Sequence, residues 1–191
     1  MEGDAPRARR TGGRSARVRQ AVHQAAAELI AERGYANFTV VDVAQRAGVA
    51  DTSIYRRWGN LEALLVDVVA ETVSAESPMP DTGTARGDLR AFAAKLAADI
   101  QGPAGLAMLR AVSAATTAGQ AGQAARDRAL NQRAQELQAM LDRARERGET
   151  TPAITDVVDL ILSPLYIRVL FGIGGITGDY LDTLVDRACA A

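Results

Sequence analysis

An all-α architecture of about nine helices is predicted for this chain, on three observations. Arg and Ala are abundant, with 21 Arg against one Lys, and both are strong helix formers. Apolar residues recur at three- and four-residue spacings along most of the sequence, whereas β-branched runs are short. Glycine or proline punctuates these patterns. They group as a basic arm over residues 1–14, a three-helix unit with a helix-turn-helix over 15–60, and a larger helical domain over 61–191.

Residues 1–14, MEGDAPRARRTGGR, carry almost no apolar side chains and cannot bury enough surface to order themselves. Two readings stay open for Arg7, Arg9, Arg10 and Arg14: a basic tail touching phosphate or the minor groove, or a solvated leader. From Ser15, the positions Val18, Val22, Ala25, Ala26, Leu29 and Ile30 keep helical spacing, and Gly34 closes the first helix. Arg17 and Arg19 fall in its first turns, where cations oppose the helix dipole, so their role is either phosphate contact or plain solvation. Tyr35 and Phe38 suit the small core behind it.

The sharpest signal is TVVDVAQRAGVADTSIYRRWGNLEALL, residues 39–65. Thr39 is suited to capping a helix, and Asp42 sits in the first turn, where the dipole favours a carboxylate. Val40, Val43, Ala44 and Ala47 form the inward stripe. Gly48 accepts the left-handed backbone of a tight turn, and Val49 tucks that turn into the core. A second helix starts at Asp51, with Ile54 and Trp58 inward and Thr52, Ser53, Tyr55, Arg56 and Arg57 elsewhere. Gly59 ends it, and Asn60 caps the next helix. This is a helix-turn-helix arrangement, in which the second helix enters the DNA major groove. Ser53, Thr52 and Arg56 are the candidate base readers, with Thr39, Tyr55, Arg57, Arg14 and Arg17 as phosphate candidates.

These residues resemble the amino-terminal domain of the tetracycline-repressor (TetR) family, whose signature runs from an A-x-x-A-G-V turn through S/T-[LI]-Y-x-[HR]-[FW] to a capped E-x-L-L helix. Ala44, Ala47, Gly48, Val49, Ser53, Ile54, Tyr55, Arg57, Trp58, Asn60, Glu62, Leu64 and Leu65 match it. Two positions depart. Leu61 stands where the family usually carries a Lys implied to reach phosphate, and Ala50 replaces the commoner Ser cap, leaving Asp51 or Thr52 to cap the second helix.

The fourth helix is expected from Asn60 to about Ser74, with Leu61, Leu64, Leu65, Val68, Val69 and Val73 apolar. SPMPDTGTARG, from Ser77 to Gly87, cannot continue it and marks the clearest boundary. Helices follow over about 86–101, 104–118 and 121–147. Thr155 then caps DVVDLILSPLYIRVLFG, apolar on nearly every side and expected to bend at Pro164. After GIGGITG, a last amphipathic helix carries Tyr180, Leu181, Leu184, Val185 and Ala188. The resemblance implies that the last two long helices pair with those of a second subunit, with Val157, Leu160, Ile161, Leu165, Val169, Leu181, Leu184 and Val185 as interface candidates; an intramolecular core helix is the alternative.

Composition narrows the function. The net charge of −1 hides an asymmetry: residues 1–60 hold ten Arg against six acids, and residues 61–191 twelve basic against seventeen acidic residues. One end suits a polyanion and the other does not. A single Cys, Cys189, excludes an intramolecular disulfide, there is no secretory signal, and no apolar run reaches membrane length, so a soluble cytoplasmic protein without membrane contact is expected. His23 is the lone histidine and GIGG at 172–175 lacks the residues of a phosphate loop, so no catalytic residue, metal or cofactor is assigned.

The expectation is therefore a regulator that binds a pseudo-palindromic double-stranded operator as a homodimer, with half-sites about 34–36 Å or a multiple apart. The resemblance further implies a small-molecule effector that moves helix four and releases DNA. Leu65, Phe92, Leu96, Met108, Val112 and Thr116 are positions for such a pocket, or simply core. Few aromatics and no charge cluster argue against a large planar cation or an anionic ligand. A regulator without an effector, or an all-α enzyme, are the alternatives.

Overall fold

The computed structural model describes residues 12–35 and 37–191, with backbone only at residues 12 and 103–108. Arg7, Arg9 and Arg10 lie outside the described residues. The helices are α1 (Gly12–Arg33), α2 (Val40–Ala47), α3 (Asp51–Trp58), α4 (Leu61–Glu76), α5 (Ala85–Gln101), α6 (Pro103–Thr117) and α7 (Gly119–Glu146), then an unbroken run of α8 (Ile154–Val157), a π turn (Val158–Leu162) and α9 (Ser163–Phe171), and finally α10 (Gly178–Cys189). With that run counted once there are nine, as expected, and no strand among the described residues.

Most boundaries follow from local chemistry. Thr39 and Asp42 form a reciprocal capping box, Thr39 N donating to Asp42 Oδ2 at 2.8 Å and Asp42 N to Thr39 Oγ1 at 3.3 Å. Gly48 has φ 65°, the left-handed conformation the turn requires. Asn60 Oδ1 accepts from Ala63 N at 2.8 Å, while its amide nitrogen donates to Ala118 O at 2.8 Å, so one side chain caps α4 and ties it to the α6–α7 corner. Three expectations are corrected. The first helix starts at Gly12, so Gly12–Arg14 are helical rather than part of an arm. Ala50 caps α3 with no side-chain bond, and Asp51 Oδ1 accepts from the adjacent Thr52 N at 2.7 Å. Thr155 is inside α8, whose first turn is closed by Asp156 Oδ2 accepting from Ala153 N at 3.0 Å.

Two apolar cores result. The first packs Val22, Leu29, Phe38, Val43, Ile54 and Trp58 against the inner face of α4 and takes in Ala111, Ala115 and Ala125 from α6 and α7. The second joins Leu89 and Phe92 of α5 to Leu137, Met140 and Leu141 of α7 and to the last helices. The 28-residue α7 runs through both.

The second core takes up the residues expected at a subunit interface. Val157, Ile161, Leu165, Leu181, Leu184 and Val185 are 0–6% exposed within one chain, and Leu160 and Val169 pack half-buried against the same cluster. A stretch apolar all round does not show which side turns inward. The side left outward carries Val158, Ile167, Leu170, Phe171 and Ile173, 41–70% exposed.

Candidate nucleic-acid interface and interior cavity

The inward stripe of α3, Ile54 and Trp58, fixes which way its other side chains point. Thr52, Tyr55, Arg56 and Arg57 are exposed and Ser53 is half-buried. Arg14, Ser53, Arg56 and Arg57 come together around one shallow recess with Ser15, Val18 and the Gly48–Ala50 turn. Among the described residues no acidic side chain lines it, so three guanidinium groups give it a positive field. Arg57 is also structural: Nη1 donates to Ser15 O at 3.0 Å and to Ser15 Oγ at 3.1 Å, and its guanidinium lies 5.5 Å from the centre of the Trp58 ring. The start of α1 is thereby pinned to the end of α3. Arg17 is exposed but outside this recess. Thr39 is exposed too, yet its amide and its hydroxyl both donate to Asp42 Oδ2, the latter at 2.6 Å, so both its donors are already engaged.

Behind the recess lies a polar cluster that the sequence did not disclose. Asp67 of α4 accepts from Trp58 Nε1 at 2.9 Å and meets His23 Nε2 at 3.0 Å. His23 Nδ1 lies 2.7 Å from Glu71 Oε2, which also accepts from Arg19 Nη2 at 2.9 Å. Burial pushes the Asp67 carboxyl up, but the hydrogen bonds from His23 and Trp58 and the charges of His23 and Arg19 outweigh it and hold it at about 2. Residues 44 and 9 positions away along the chain complete the site, beyond any local pattern.

At the other end of α4 is a cavity of about 520 Å³, within the range of small-molecule sites. Val73, Ser77, Pro78 and Pro80 close one side, Phe92, Lys95, Leu96, Asp99 and Ile100 of α5 another, and Leu109, Val112, Leu130, Arg133, Leu162 and Tyr166 complete the wall. Of the expected pocket positions, Phe92, Leu96 and Val112 line it. Leu65 does not: it is 1% exposed inside the first core. Thr116 is exposed on the outside of α6, its hydroxyl donating to Val112 O at 2.9 Å. The Met108 side chain lies outside the described residues. The polar wall residues Ser77, Lys95, Asp99, Arg133 and Tyr166 were missed because their spacing along the chain carries no motif.

The profile described as "Tetracyclin repressor-like, C-terminal domain" matches residues 79–188, and that of "Bacterial regulatory proteins, tetR family" matches residues 23–68. The chain belongs to the TetR family. Its family is one of helix-turn-helix transcriptional regulators. The chain is similar to the HTH-type transcriptional regulator AqdR of Rhodococcus erythropolis, 35% identical over 136 residues that span 71% of this chain and 65% of AqdR. Among solved structures, the TetR family transcription regulator SCO0332 superposes with a TM-score of 0.76 at 26% identity, over 91% of this chain and 97% of that one. The regulator FadR from Bacillus subtilis, solved in complex with stearoyl-CoA, shares the fold at a TM-score of 0.59 and 20% identity, over 87% and 95% of the two chains. No helix among the described residues of this TetR-family chain is long and apolar enough to cross a membrane.

Proposed function

We propose that this TetR-family regulator is a cytoplasmic repressor that binds a pseudo-palindromic operator as a homodimer and is released by a small-molecule effector. Residues 15–60 form the operator-reading unit and residues 61–191 the effector-binding and dimerisation unit. The observation that carries this reading is the position of α4. One end is bonded to the last residue of α3 through Trp58 and Asp67, and the other borders the cavity with Val73 and Ser77. A ligand that favours one placement of α4 therefore biases the placement of α3. FadR, which shares this fold, was solved in complex with stearoyl-CoA, which supports a small-molecule site in a chain of this architecture.

On the DNA side, Thr52, Ser53 and Arg56 read bases, and Tyr55, Arg57, Arg14 and Arg17 hold phosphates. A second copy of the chain covers the outward apolar face of α9, because a helix-turn-helix of this kind reads two half-sites through a two-fold dimer. Phe171, 70% exposed at the end of α9, and Ile173, 53% exposed just beyond it, are the most open large apolar residues there. No residue is given a catalytic role.

The test is binding to DNA from the protein's own promoter region at several salt concentrations. Arg56→Ala should lose about 1–3 kcal/mol and relax sequence preference, whereas Arg57→Ala should weaken all sequences and lower the salt slope by about one. Equal binding of the wild-type protein to unrelated DNA, with no change in either variant, would remove the reading.

A further inference from the structure

We infer that the effector held by this cavity is an uncharged, mainly apolar molecule carrying a hydrogen-bond-accepting group such as a carbonyl or hydroxyl; this rests on the cavity being the effector site. Among the described residues the wall carries three charged groups, Lys95, Asp99 and Arg133, and all are already matched. Lys95 Nζ donates to Asp99 Oδ1, and Asp99 Oδ2 accepts from Ser77 Oγ at 2.6 Å. Arg133 Nη1 donates to Glu136 Oε2 at 2.8 Å, and Glu136 Oε1 accepts from Ser74 Oγ at 3.0 Å. Each wall charge thus has a counter-charge, Asp99 within the wall for Lys95 and Glu136 just outside it for Arg133, and the two pairs sum to zero. The stretch whose side chains are not described, PAGLAM at 103–108, contains no charged residue.

A carboxylate, phosphate or ammonium entering here finds every wall charge already neutralised, so it must compete with Asp99 or Glu136 for a counter-charge or lie without one among Leu96, Val112, Leu130 and Leu162. Either way the entering ion gives up its own hydration for no net counter-charge, which costs more than the same apolar body with a neutral head. A neutral ligand avoids it. Arg133 has five N–H donors and spends one on Glu136 among the described contacts. With the Tyr166 phenol in the same wall, it can receive one acceptor atom of the ligand while the rest of the molecule lies on the aliphatic side.

The experiment uses the full-length protein and N-phenyl-1-naphthylamine, a neutral probe that fluoresces in apolar sites. Decan-1-ol, decanoate and decylammonium compete at neutral pH, so that one apolar body carries three different heads. Expected is displacement by the alcohol at about a tenfold lower concentration than by either ion. In Asp99→Asn, which leaves Lys95 without its counter-charge, decanoate should gain on the alcohol. Equal or better displacement by decanoate in the wild-type protein, or an unchanged decanoate-to-alcohol ratio in Asp99→Asn, overturns the inference while leaving the cavity as the effector site. Leu96→Trp and Val112→Phe fill the chamber from two sides. If both retain wild-type helicity and still bind the probe as before, or if the wild-type protein binds none, the cavity is not the effector site and the inference goes with it.

Discussion

Trp58, the last residue of the recognition helix, donates its indole N–H to Asp67 Oδ2 in the second turn of α4 at 2.9 Å. The ring lies with its centre 5.9 Å from that of His23, whose Nε2 meets the same carboxylate oxygen. One carboxylate on α4 therefore joins α1 and α3, the two helices that meet at the basic recess.

Trp58→Phe keeps an aromatic ring in the first core but removes the donor. Asp67, half-buried, then lacks one of its bonds, and unfolding in urea should show a loss of about 1–2 kcal/mol with helicity retained. An unchanged urea midpoint would mean that the indole contributes only its bulk.

The same carboxylate gives the fold a pH dependence of defined sign. Its pKa in the folded chain is about 2, against about 3.9 in an unfolded one. Because the folded value is depressed, the stabilisation is fully present above about pH 4 and is lost as the pH falls towards 2. The side chain is a third exposed, so solvent screening reduces the effect to about 1 kcal/mol. The check is to compare urea midpoints at pH 5 and pH 2.5 for the wild-type protein and Asp67→Asn. The variant should show the smaller drop between the two, since acidification no longer discharges this group.

Assembly and stability should separate cleanly along the last helices. Phe171→Glu places a charge on the outward apolar face and should convert dimers to monomers in sedimentation equilibrium without loss of helix. Leu184→Ala, at a side chain 1% exposed inside the second core, should instead cost about 2–5 kcal/mol of stability. If Phe171→Glu sediments as the wild-type protein does, the second copy is held elsewhere.

Local rules explain what could be read in advance. α2 and α3 were legible almost to the residue because capping by Thr39, the φ 65° demand at Gly48 and the inward pair Ile54 and Trp58 are all encoded within a few positions. The basic recess was legible in part, through Ser53, Arg56 and Arg57 on one helix. What stayed hidden depends on contacts between distant segments. His23, the lone histidine, finds Asp67 and Glu71 only once α1 lies along α4. That the dimer candidates pack into the chain's own core stayed hidden for a related reason. Residues 154–171 are apolar around the whole circumference, and the π turn just before Pro164 changes the register of whatever stripe remains.

The double use of Asn60 makes α4 a lever. The helix is 16 residues long, a rod of about 24 Å at about 1.5 Å per residue. Its near end is bolted by the Asn60 amide to Ala118 on the α6–α7 corner, and its far end borders the cavity. A sideways push of about 2 Å at that far end, the scale on which packed helices slide, turns such a rod by about 5°. Asp67 sits on the same rod and hauls on Trp58 as it swings. Under the proposed mechanism, a displacement too small to break a core contact would arrive at the DNA as an angle, and in a two-fold dimer the two angles would open in opposite directions.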